Sequence, residues 1–272
     1  MSTPQTEKKI TGSKQTLQFI PDWAEFGEAS LDELLVGAPR IEEFPTEGIT
    51  FPNARFLQVI YEIDMFSSAG FLPPSLAPVR GSHFVMFRAH HLPETPWGPT
   101  TITEVGTLCR FGYRPRVFQL AAKVDNPAAV EPLRSGWGYP VSLADRVNLR
   151  RYHDGSHLTV TQDGVDILKI QTTRPILTAG GSLGINSSVH LADTVQGPRI
   201  VQVAEDFTFK ASEVSTPQVK VFDSAAWGLS GLNANYPVSA VSAVADITLR
   251  PIQFVSDADK PALLNIRPVS EL

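Results

Sequence analysis

Several groups of residues in this 272-residue chain have types and spacings that could do chemistry. Gly180-Gly-Ser-Leu-Gly184 has the spacing of a nucleophile elbow, which would raise a serine hydroxyl for acyl transfer. That chemistry needs a strand before the serine, a helix after it, and histidine and acid partners further on. The next residues, Ile185-Asn-Ser-Ser-Val-His190, read as loop or strand, and His190 is the last histidine, which argues against serine hydrolysis. His153 and His157 have an i,i+4 spacing, yet Asp154-Gly155 places a turn between them, and the adjacent His90 and His91 face opposite sides of a strand. Neither a metal nor a cofactor site is expected. Lys123 and Lys169 carry amines on strand candidates, but lysine usually occupies the solvent face. Trp97, Trp137 and Trp227 read as core or rim aromatics.

Composition narrows the classes. Hydrophobic residues make up 42% and charged residues 19%, as in ordinary globular proteins. The net charge of -5 comes without a basic cluster, which argues against nucleic acid as a partner. The single cysteine, Cys109, has no internal disulfide partner, so a reducing compartment suits the chain. The opening MSTPQTEKKITGSKQ is polar and lacks the apolar core of a secretion signal, and no run approaches a membrane helix. A cytoplasmic protein with no membrane partner is expected. Asn186-Ser187-Ser188 has the form of a glycosylation sequon that such a location would leave unused.

The elements that must position these residues are mostly strands. After a polar tail of about fifteen residues, Ser30 and Glu33 form a capping box for a short helix to Val36, within an N-terminal arm of residues 1-50. A single domain over 51-272 follows. Strand candidates are Phe56 to Tyr61, His83 to Ala89, Thr100 to Cys109, Val117 to Val124, Arg146 to Tyr152, His157 to Gln162, Val165 to Thr172, Ile200 to Lys210 and Ala243 to Phe254. Asp64 to Leu72 reads as a short helix stopped by Pro73-Pro74, and Gln218 to Trp227 as a further helix. Asp154-Gly155 and Asp163-Gly164 are hairpin signals that join the segment from Val147 to Thr173 into a meander. The reading is α+β but mainly antiparallel β, a barrel-like sheet with a few peripheral helices.

Four blocks in order carry a family resemblance: Tyr61 to Pro78, Thr103-Glu-Val-Gly106, Asp125 to Pro140, and Val221 to Ala226 with Val244 to Leu249. Together they resemble the acetoacetate decarboxylase superfamily, from about Arg55 to about Phe254. The resemblance implies that family's β-barrel or cone, a homo-oligomer, and Glu104 as a pocket glutamate. It also implies arginines at Arg134 and, after a one-residue shift, at Arg55. A second family glutamate is replaced by an apolar residue near Met86, and Ser135 stands where the family usually has glutamate. In that family a tyrosine-proline or phenylalanine-proline pair precedes two lysines, the first of which forms a Schiff base with a ketone. Here Tyr139-Pro140 precedes Val141 and Ser142. Acetoacetate decarboxylase is itself the standard illustration of lysine activation, and valine has no nitrogen to condense with a carbonyl.

What the resemblance then implies is an apolar funnel with Glu104 as acid or base, Arg55 or Arg134 holding an oxyanion, and Ser142 donating to a developing negative charge. Tyr139, Val141, Met86 and Trp137 would line the pocket, with Trp137 at its entrance favouring a larger, flatter substrate. Cyclisation, dehydration or isomerisation of a hydrophobic, oxygenated polyketide- or terpenoid-like molecule fits such a set, because each needs positioning more than covalent attachment. Two alternatives stay open. Lys123 could point inward and restore decarboxylase or aldolase chemistry, or the funnel could bind a ligand without converting it.

Overall fold

The computed structural model describes residues 25-64, 67-81 and 83-272. The expected N-terminal tail lies outside them. In chain order, helix α1 (Leu31–Leu35), strands β1 (Arg40–Ile41) and β2 (Ile49–Glu62), and helix α2 (Ser67–Gly70) lead to β3 (Ala77–Pro78), β4 (Phe84–Leu92), β5 (Thr100–Phe111) and β6 (Arg114–Val124). Helix α3 (Pro127–Trp137) precedes β7 (Val141–Leu143), β8 (Arg146–Tyr152), β9 (Gly155–Gln162), β10 (Val165–Leu177), β11 (Ser188–Thr194) and β12 (Arg199–Val203). The long strands β13 (Glu205–Phe222) and β14 (Tyr236–Leu249), then β15 (Phe254–Asp257), α4 (Ala262–Asn265) and β16 (Arg267–Pro268), complete the chain.

Among the described residues these strands form one sheet with the order β16-β15-β12-β11-β6-β5-β4-β2-β14-β13-β10-β9-β8, with β1, β3 and β7 pairing alongside. The pairings are antiparallel except where β11 meets β6 and β1 and where β7 meets β6. The sheet curls, so that β8 packs over β4, β5 and β6. Two cores result. Leu57, Val59, Phe87, Ala89 and Val105 meet Val147, Leu149, Leu158 and Ile170 on one face. Phe56, Ile102, Ala122 and Val124 meet Leu133 and Trp137 of α3 and Val201 of β12 on the other. Each buried large apolar side chain stabilises the fold by about 1.5–3 kcal/mol. A third cluster includes Cys109, Phe118 and Leu191, with Leu31, Leu34 and Leu35 of the arm packed against it. Burial there pushes the Cys109 thiol pKa up.

Most sequence expectations have direct counterparts. Ser30 accepts the Glu33 N–H at the start of α1. Strands β8, β9 and β10 form the meander, and Asp163 (φ 52) with Gly164 (φ 75) makes the two-residue turn between Gln162 and Val165. Elsewhere the structure differs. The helix expected from Gln218 to Trp227 is instead the end of β13, followed by a 3-10 turn at Ala225–Trp227. Val219 and Val221 pair with Ile170 and Lys169 of β10, so the ladder outweighs local helix preference. The strand expected from Ile200 to Lys210 is two strands, β12 and the start of β13, and the one expected from Ala243 to Phe254 is β14 followed by β15. Gly180–Ser182 form a 3-10 turn between the extended Ala179 and Leu183, and the Ser182 hydroxyl donates to the Ala179 carbonyl. It is not a strand-to-helix elbow. Among the described residues no helix is long and apolar enough to cross a membrane.

Candidate active site

Alternation along β4 sets the site. Val85, Phe87 and Ala89 enter one core, so Met86, Arg88 and His90 face the opposite side of the sheet. Opposite these residues on β5 stand Gly106, Glu104 and Ile102, and Gln58 of β2 lies beside Arg88. Gln119 joins them through a bulge in β6. Gly106 pairs with Gln119 but Val105 pairs with Ala121, so Leu120 is an extra residue that turns Gln119 toward Glu104. Gly106 makes room for this, since a Cβ there would lie 3.0 Å from Gln119 Oε1 and 2.5 Å from a Val117 methyl. Ser188 and His190 enter from alternate positions of β11, and Glu205 from the start of β13.

The resulting network is buried. Arg88 is 1% exposed, Glu104 2% and His90 3%. Arg88 donates through Nε to Gln58 (2.9 Å), through Nη1 to Ser188 (3.0 Å) and through Nη2 to the Asn186 carbonyl (2.5 Å). Gln119 Nε2 donates to Glu104 and to Ser188. His90 lies between two carboxylates, with Nδ1 3.3 Å from Glu104 Oε1 and Nε2 3.3 Å from Glu205 Oε1. Neither approach has hydrogen-bond alignment, and His90 Nε2 and Glu104 Oε1 have no hydrogen-bond partner among the described residues.

Electrostatics divide the protons unequally. Burial alone lowers the His90 pKa, but Glu205 and Glu104 outweigh it and raise the net value, so the imidazolium is favoured. Burial raises the Glu104 pKa, whereas His90 and Arg88 lower it further, which leaves a carboxylate. Glu205 moves the other way, raised by burial despite His90 and with Glu104 adding to the rise. His190 is pushed down to about 4 by burial, and its Nδ1–H donates to the Trp137 carbonyl at 2.9 Å. Its ring lies 4.4 Å from that of Tyr139, whose pKa is raised well above 10 by burial and by Glu104 and Glu205.

Helix α3 delivers the segment that carries Val141. Asn126 caps its start and Pro127 opens it. At its end Gly138 (φ 66) takes the left-handed conformation, with its N–H on the Arg134 carbonyl and that of Tyr139 on Leu133. Val141 then pairs with Ala122, the neighbour of Glu104, and so lies on the Glu104 face, 1% exposed.

The sequence-predicted residues therefore separate. Glu104, Tyr139, Val141 and Met86 share the network's face. Ser142 pairs with Lys123 and Lys123 with Thr103, one residue out of phase, so both project from the opposite face. Ser142 is exposed there. Burial, opposed by Asp163, lowers the Lys123 pKa. Lys169 is paired with Asp166 at the surface. Arg55 lies beside His91 and Thr101, facing a separate groove of about 510 Å³ that Asp125, Arg150 and Arg151 also line. Arg134 is tied to the Val141 and Gly37 carbonyls. It braces the loop from α3 to β7. Trp137 is buried in the α3 core with its indole on the Arg250 carbonyl, and so does not rim an entrance. Sequence reasoning missed Arg88, Gln119, Ser188 and Glu205, and noted His90 and His190 only to set them aside.

The segment from Thr178 to Ser187 crosses this face as a strap. Leu183 and Ile185 pack on the α3 core, and the Gly184 and Asn186 carbonyls accept from Gln58 and Arg88. Phe207 and Phe209, stacked at 5.4 Å, continue an aromatic row through Phe56 to His90. The result is a buried acid–base group behind an aromatic wall. Among the described residues no group of three or more His, Cys, Asp and Glu is placed to hold a metal ion.

Comparison with known proteins assigns the family. The acetoacetate decarboxylase (ADC) family model matches residues 35–258. The chain belongs to this family. The acetoacetate decarboxylase from Legionella pneumophila superposes with a TM-score of 0.65 at 21% identity, covering 78% of this chain and 88% of that one. The enduracididine biosynthesis enzyme MppR complexed with pyruvate gives 0.61 at 17% identity, covering 76% and 89%. An acetoacetate decarboxylase-like enzyme from Sphingomonas wittichii RW1 gives 0.57 at 15%, covering 74% and 90%. No curated protein matches the chain. These likenesses establish an acetoacetate decarboxylase-like fold in an enzyme family.

Proposed function

We propose that this family member is an enzyme that works by acid–base catalysis without a Schiff-base lysine, on a hydrophobic, oxygenated small molecule. The observation that carries this reading is His90 held between Glu104 and Glu205 on the face where Val141 is presented. The opposed pKa directions of the two glutamates suit two roles. Glu104, ionised and with Oε1 unpartnered, takes a proton from carbon next to a carbonyl. The imidazolium of His90 donates to the enolate oxygen that forms. Glu205, whose pKa burial shifts upward, is assigned the delivery of a proton either to a second carbon, giving isomerisation, or to a β-hydroxyl that leaves as water, giving dehydration. The aromatic row supports an apolar, flat substrate of polyketide or terpenoid type, and ring closure fits the same positioning.

Deuterium exchange tests this with a surrogate ketone in place of the natural substrate. In D2O the protein should accelerate exchange at the α-carbon of 2-tetralone, a flat hydrophobic ketone, as followed by NMR. Glu104→Gln should slow the catalysed rate by about tenfold or more with folding intact. An unchanged rate removes Glu104 from the chemistry. Like its resemblance to the family, this reading carries the expectation of a homo-oligomer, which light scattering at micromolar protein would check.

A further inference from the structure

Of the four polar atoms left without a hydrogen-bond partner in the buried network, among the described residues, three are of one kind, and the fourth, His90 Nε2, is a donor 3.3 Å from the Glu205 carboxylate. Glu104 Oε1, Gln119 Oε1 and His190 Nε2 are buried without a hydrogen-bond partner among the described residues. Each is an acceptor. Glu104 is flanked by His90 and Arg88 and stays a carboxylate. The orientation of Gln119 is settled by its neighbour, because its amide nitrogen must face the Glu104 oxygen and a reversed amide would set two oxygens in contact. His190 uses its one proton on the Trp137 carbonyl through Nδ1, leaving a lone pair on Nε2.

The donors are largely committed. All three nitrogens of Arg88 donate to protein acceptors. Arg134 is held by two backbone carbonyls, and Arg55 projects from the other face of the sheet. His90 is balanced in charge by a carboxylate 3.3 Å away on either side, and its Nε2–H, which makes no aligned hydrogen bond among the described residues, is the donor left over. No arginine among the described residues is thus placed to clamp a substrate carboxylate at this site.

We infer that the ligand of this site is a neutral molecule that donates hydrogen bonds through two or more hydroxyl or enol groups, and that a keto acid held by its carboxylate is not its ligand class. Buried acceptors are costly when unmet, and a hydroxylated ligand meets them where a carboxylate adds repulsion beside Glu104. The inference rests on the proposed function for the location of the site, and it deepens that reading by favouring hydroxylated substrates, as dehydration requires.

Three flat probes of similar size test it on the full-length protein: resorcinol with two O–H donors, 1,3-dimethoxybenzene with the same oxygens but no donor, and benzoate with a carboxylate. In NMR titrations resorcinol should bind about tenfold or more tighter than either of the others. His190→Phe should weaken resorcinol several-fold and leave 1,3-dimethoxybenzene unchanged. Gln119→Met, which also removes an acceptor, should do the same if the first variant folds poorly. Equal binding of resorcinol and its dimethyl ether, tighter binding of benzoate, or no saturable binding of resorcinol would each overturn the inference. Binding is read here without turnover, so a preference for resorcinol without catalysed deuterium exchange would retain the ligand class and remove the acid–base role.

Discussion

The two faces of strands β2, β4, β5 and β6 use the same backbone for opposite ends. On one, Leu57, Val59, Phe87, Ala89 and Val105 pack against the β8–β10 meander as an apolar core. On the other, Gln58, Arg88, His90, Glu104 and Gln119 are buried as deeply but held by charge and hydrogen bonds. Burial of an arginine and a glutamate is costly unless both are paired, so the charge pairs and hydrogen bonds on this face largely offset that cost and add little net stability. A single-residue step in register decides which role a side chain has: Glu104 acts within the network while Lys123, paired with Thr103, faces away.

The sharpest way to break this contrast is to remove a charge from one face and compare it with the other. Arg88→Leu leaves Gln58, Ser188 and Glu104 without their cation, and should cost about 3–5 kcal/mol in urea unfolding. Lys123→Leu, on the opposite face, should stay within roughly 0.5 kcal/mol. Comparable losses would show that the two faces are not energetically distinct.

Acid should reveal the polar face next. The folded pKa of His190, about 4, is depressed below its ordinary 6.5. The unfolded chain therefore binds the proton first as pH falls, and stability that is full above pH 6.5 is lost progressively toward pH 4, by roughly 3 kcal/mol. Glu104, also depressed, adds loss at the acid end. His90, raised, acts oppositely: its contribution is full below 6.5 and lost as pH climbs through its folded value. Chemical denaturation across this range should show the acid slope in the native protein and a shallower one in His190→Phe.

The strap offers a smaller effect. A Cβ on Gly180 would lie 2.3 Å from the Phe209 ring, whereas one on Gly181 meets open space. Gly180→Ala should lose about 1–3 kcal/mol, and Gly181→Ala should be near neutral in thermal unfolding. Equal melting temperatures would mean that the strap does not depend on close packing over the aromatic row.

Much of this fold was legible because strands announce themselves through alternation. Val85, Phe87 and Ala89 against Arg88 and His90 already describe a strand with a buried polar face, a pattern that points to Arg88. The second turn of the meander followed from Asp163-Gly164, whereas the first falls on His153 and Asp154, one residue before the expected pair, because Gly155 of β9 already pairs with Tyr152 of β8. Gln119 was not legible, since the bulge at Leu120 reverses its face and no local pattern marks that extra residue. Glu205 lies 101 positions beyond Glu104 in sequence and reaches it only through the pairings of β2 with β14 and β14 with β13. The resemblance placed Val141 and Glu104 together. It could not show that Ser142 and Lys123 share the other face, because that depends on the register of β7 against β6.

The central claim is that chemistry here proceeds without an imine. Borohydride reduction of the protein in the presence of 2-tetralone, followed by peptide mass mapping, tests it most directly. The account predicts no lysine adduct under conditions where deuterium exchange is catalysed. A reduced adduct on Lys123, or on any other lysine whose loss abolishes that exchange, would contradict it.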